Sequence, residues 1–182
     1  MKSLLTLATL GVLLTGAAVA SASPADGDAD RGRPASVTGS AQVRYHYVPT
    51  EEIKFEFDAQ AAPFTRITPD SPNGRPTDAR GTVRISHVIR GTTYTAEAEV
   101  DCLLTGGPSA TLTALVTATS HGQVPNGERL GFSVLDGHPD RMGFSWGLVD
   151  GTDVRPCMAA APFTTVVKGG FKVHHVDAPK PG

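Results

Sequence analysis

The sequence predicts an all-β chain: a single antiparallel barrel or sandwich of about eight strands, stapled by one disulfide. Three observations predict it. From Ser36 onward polar and apolar residues alternate with period two, and no stretch holds the i, i+3, i+4, i+7 spacing over the length a helix needs. Turn residues such as Asn126-Gly127 and Asp136-Gly137 separate the alternating runs and, apart from the long Pro63–Asp78 segment and the stretch after Val149, leave connections too short for the roughly dozen-residue crossover between parallel strands. The two cysteines sit in a chain that begins like an exported protein, where an even count favours a disulfide between Cys102 and Cys157.

The 182 residues match one ordinary domain, and 40% of them are hydrophobic, enough for one core. The 16 Lys and Arg against 18 Asp and Glu include no long run of one sign, so the composition leaves no electrostatic footprint for nucleic acid.

Residues 1–22 read as a signal peptide: an early Lys2, an apolar stretch from Leu4 to Leu14, then small residues from Gly16 to Ala22. Cleavage fits after Ala20 or after Ala22, the second leaving a chain that starts at Ser23. Thr6, Thr9 and Gly11 interrupt the apolar stretch, which falls short of the roughly 20 residues of a membrane span. A secreted, released protein is the expectation. Residues 23–38 open with SPADGDADRGR, which has no bulky apolar side chain to offset ordering entropy and reads as a flexible leader. Asp26, Asp28 and Asp30 alternate as in a calcium loop but lack its glycine and distal glutamate. The β domain is expected over 39–178.

Within it the expected strands are 42–48, 52–59, 80–89, 92–103, 110–119, 129–135, 142–149 and 164–176. The turn at Arg90-Gly91 sets a testable register. Arg84 then faces Glu97 and Arg80 faces Asp101 on one side, while Val83 meets Ala98, Ile85 meets Ala96 and His87 meets Tyr94 on the other. Glu97, Glu99 and Asp101 are thereby explained as an outer, ion-paired face rather than a metal site. Inward sets are Ile53, Phe55 and Phe57; Tyr94, Ala96, Ala98, Val100 and Cys102; Leu130, Phe132 and Val134; and Met142, Phe144, Trp146 and Leu148. Such aromatics fill a small barrel.

Gly143-Phe144-Ser145-Trp146-Gly147 matches the G-x-S-x-G nucleophile elbow, which works at a sharp turn from strand to helix. No helical pattern follows, so Ser145 is expected to face outward on a strand. The histidines at 46, 87, 121, 138, 174 and 175 have no metal-binding spacing, and no cofactor motif is present. His87 and Tyr94 stand out as a polar pair on the inward face of their hairpin.

The runs GTVRISHVIRGTTYTAEAEVDCLLTGG and GERLGFSVLDGHPDRMGFSWG, followed by Pro156-Cys157, resemble a group of small secreted actinobacterial proteins of unassigned function, some labelled repetin. The family pattern is matched by Val100, Cys102 and Leu103, by Phe132, Val134, Asp136 and Pro139, by Phe144 and Trp146, and by Cys157. Asp136-Gly137-His138 stands where the family has an Asp-Asn-Gly turn, a departure that touches the turn geometry. The resemblance implies a compact antiparallel domain with a disulfide and no accepted catalytic residue. The functional expectation is a secreted, non-catalytic module that binds a small apolar ligand in its interior or an envelope component on a face. Its alternatives are a serine hydrolase using Ser145 and a purely structural extracellular domain.

Overall fold

Alternation sets the architecture strand by strand. In β2 (Glu52–Ala61), Ile53, Phe55, Phe57 and Ala59 are buried while Lys54, Glu56 and Asp58 face water. The computed structural model describes residues 32–122, 124–145 and 154–177. Its other strands are β1 (Ser36–Arg44), β3 (Ala79–Ile89), β4 (Thr92–Gly106), β5 (Ser109–Thr119), β6 (Arg129–Leu135), β7 (Arg141–Phe144) and β8 (Thr164–His174). They form a closed barrel in sequence order, every neighbour antiparallel, so the barrel rather than the sandwich is the outcome.

The interior is filled by its own side chains. Phe55, Phe57, Phe132 and Phe144 are at most 2% exposed, and Phe132 touches Phe55 and Phe57 at centroid distances of 6.0 and 5.4 Å. The rings fit because small residues stand opposite them: Ala41 pairs with Phe55, and Gly39 with both Phe57 and Phe171. Burial of each ring stabilises the fold by about 2–3 kcal/mol. Among the described residues no buried side-chain nitrogen or oxygen lacks a hydrogen bond.

Several boundaries differ from expectation for visible reasons. The first strand starts at Ser36 and not at 42, because Ser36 and Val37 pair on both sides, with Gln60 and Ala59 and with His174 and Val173. Residues 45–48, expected as strand, turn instead, with Val48 N–H donating to the Tyr45 carbonyl at 3.1 Å. β7 ends at Phe144, and the expected inward Trp146 and Leu148 lie outside the described residues. The β3–β4 register is the expected one at Val83–Ala98, Arg84–Glu97, Ile85–Ala96 and His87–Tyr94. It stops at Thr82–Glu99, so Arg80 does not face Asp101; Arg80 reaches Gln60 at 3.5 Å instead.

The cause is a bulge. Between Val100 and Cys102 the β4–β5 register shifts by one residue, after which Leu103, not Cys102, points into the core. Cys102, expected inward, lies opposite Thr113 and bonds to Cys157. That bond anchors a strap, residues 154–163, across the outside of β5–β7. Gly131 and Gly143 are where the strap passes closest. A Cβ on Gly131 would fall onto the Met158 carbonyl oxygen, and one on Gly143 onto those of Ala160 and Ala161. A second cover, the loop 62–78, is tied to β4 by Leu103 N–H donating to the Thr77 carbonyl at 2.9 Å.

The seam between β7 and β8 is closed differently. The two strands pair only at Arg141–Thr165 and Met142–Thr164. Farther along β8, the Phe171 and Val173 N–H groups donate to the carboxylates of Asp140 and Asp136 at 2.7 and 3.0 Å. Two acids of the β6–β7 loop thus take the place of a missing strand edge. Burial pushes the Asp136 carboxyl up, but the Val173 N–H and the Lys172 ammonium outweigh it and hold the group below its ordinary value.

Candidate functional site

The sequence singles out Ser145, the cysteines and the His87–Tyr94 pair. Ser145 Oγ accepts a hydrogen bond from Gly131 N–H at 2.8 Å, and Ser145 N–H donates to the Gly131 carbonyl at 3.0 Å. The hydroxyl is therefore held against the β6 backbone, and no histidine among the described residues bonds to it. Trp146 and Gly147, the rest of the elbow motif, lie outside the described residues. Cys102 and Cys157 are joined to each other, so neither offers a thiolate.

His87 and Tyr94 are opposed across the hairpin, yet each has another neighbour. His87 Nε2 lies 2.5 Å from Glu51 Oε2, with the two side chains 12% and 22% exposed. Tyr94 packs tilted against His121 at a centroid distance of 4.8 Å, and His121 Nδ1 lies 2.8 Å from Ser120 Oγ. Glu51 belongs to the β1–β2 turn. Pairwise strand register cannot find it, and only its place just before an alternating run could have hinted at it. Among the described residues no group of His, Cys, Asp and Glu is placed to hold a metal ion. No helix among them is long and apolar enough to cross a membrane.

One concave surface lies outside the barrel. A groove of about 530 Å³ runs over the outer face from β1 to β5, lined by Lys54, Glu56, Arg84, Thr95, Glu97 and Ser120 among others. It arises from the alternation itself, since these are the outward residues whose neighbours fill the core. Arg84 lies between Glu56 and Glu97 on the flanking strands, at 3.1 and 3.3 Å, all three about half exposed or more. Such solvated pairs add little stability and leave the groups available to a partner. At the rim, Lys54 contacts Glu52, whose carboxyl is lowered by the hydrogen bond and charge of Lys54. Ser40, Ser86, Thr95 and Ser120 add hydroxyls. The groove thus offers donors and acceptors side by side.

Comparison with known protein families, curated proteins and solved structures found no match to this chain.

Proposed function

We propose that the protein is an exported, non-catalytic binding module that holds a polar component of the cell envelope in the groove across β1–β5. The observation that carries this reading is where the side chains go: the phenylalanines pack on one another inside the barrel, and charged and hydroxyl side chains border an outer groove whose lining also includes Phe55, Ile85 and Ala96. The signal-like start and the disulfide support export, and the resemblance to small secreted actinobacterial proteins agrees with it.

The test is retention by envelope. Purified chain is mixed with the insoluble envelope of cells that make it, pelleted, and compared with Arg84→Glu, which turns the charged row wholly acidic, and Thr95→Lys, which fills the groove. Saturable pelleting of the parent protein and loss of it in both folded variants is the expected result. Equal pelleting of all three refutes the reading, as does a native mass that exceeds the denatured mass by an apolar passenger.

A further inference from the structure

Between the loop 62–78 and the outer wall of β4–β6 lies a recess of about 150 Å³, lined by Arg66, Arg75, Arg129, Asp70, Asp78 and Asp101 among others. Its formal charges cancel, but its hydrogen-bonding capacity does not. Asp78, 3% exposed, accepts the Arg66 and Arg75 backbone N–H groups through Oδ2, both at 2.9 Å. Asp101, 5% exposed, accepts the Thr113 hydroxyl at 2.6 Å and Arg129 Nε at 2.8 Å. Both buried acids are committed to the fold. Asp70 is exposed at the turn Thr68–Ser71, where water screens it.

The arginines are not committed to the same extent. Arg129 uses Nε on Asp101 and Nη1 on the Val154 carbonyl, leaving Nη2. Arg66 spends only Nη2, on Glu99, which is 62% exposed. Arg75 is half-buried, and its guanidinium makes no hydrogen bond or ion pair with the described residues. Its five donors are unspent on the described residues and are open to solvent or to a ligand, since no buried side-chain nitrogen lacks a partner. The recess is thus richer in unspent donors than in open acceptors, of which the exposed Asp70 carboxylate is one.

We propose that this recess binds an oxyanion of the phosphate class, free or as the terminal group of a larger extracellular molecule. Its volume is about that of five waters at roughly 30 Å³ each, room for one such group. Three guanidiniums, two from the loop and one from β6, suit a tetrahedral anion, whose oxygens point in several directions, better than a planar carboxylate. The ion would tie the loop, through Arg66 and Arg75, to Arg129 on the barrel wall. This site is separate from the groove.

The test uses the full disulfide-bonded chain, followed by amide NMR during titration with inorganic phosphate and, separately, with glycerol 3-phosphate, at constant ionic strength. The expected result is saturable shifts centred on residues 66–78 and Arg129, weakened roughly tenfold or more in Arg75→Gln and partly kept in Arg75→Lys. Arg75 is the choice because its guanidinium holds nothing in the fold, so Arg75→Gln folds and keeps its envelope retention. Binding of phosphate alone identifies the free ion, and binding of both identifies a terminal group; either supports the site. Absence of saturation, or identical shifts in Arg75→Gln spread over the surface lysines and arginines, overturns it.

Discussion

Replacing both Cys102 and Cys157 with Ala removes the cross-link that pins the strap to the barrel. The bond closes a segment of sequence separation 55, and loop-closure entropy for that length is worth about 4 kcal/mol. A domain of this size has only about 5–15 kcal/mol in all, so the variant retains a fold but a weakened one. In urea, with a slope of about 2 kcal/mol per M, the midpoint should fall by roughly 2 M. The slope itself should rise, because the unfolded chain without its cross-link expands and exposes more surface. Equilibrium unfolding followed by far-UV circular dichroism reads both quantities. A midpoint drop under about 0.5 M with an unchanged slope would refute the reasoning. The strap would then be held by its contacts with β5–β7, and the cross-link would contribute little.

Phe132→Ala removes a fully buried ring from contact with Phe55 and Phe57 and should cost about 3–5 kcal/mol, read as a lowered thermal midpoint. Gly143→Ala drives a methyl group into the strap carbonyls and Ser133 Oγ; a loss of about 1–3 kcal/mol and faster tryptic cleavage at Arg155 are expected, and unchanged cleavage would mean that the strap yields at no cost. Asp136→Asn tests the carboxylate seam through its pH dependence. The folded carboxyl titrates below its ordinary 3.8, so its stabilisation is complete above that value and is lost as pH falls through the folded one. The stability gap between parent and variant should therefore be constant from neutrality to about pH 4 and close below it, whereas a gap that persists in acid points to shape rather than charge.

Alternation was enough to read the antiparallel all-β class, the β3–β4 register over Val83–His87 and most of the core, because in β2 and β3 every second side chain has one destination; it left barrel and sandwich open. The misreadings fall where that rule is suspended. A bulge at Asp101 reversed the expected direction of Cys102 and detached Arg80 from its presumed partner, and a single inserted residue leaves no mark in hydropathy. Gly39 and Ser40 diluted the pattern of β1, so its first half read as leader. The candidate sites were less legible still: Glu51 meets His87, and Arg75 comes to share a recess with Arg129, through a turn and a loop whose course no local pattern encodes.

Every seam of the barrel but one joins consecutive strands. The exception brings Ser36 opposite His174, across nearly the whole ring of sequence. Closing that distance costs chain entropy that local hairpins avoid, so during folding the ring should shut last at β1–β8. Until it does, two long ladders of unpaired backbone are open to a neighbouring molecule. Arg44 on β1 and Lys168 and Lys172 on β8 are exposed along those ladders, where clustered like charge discourages one copy from completing another.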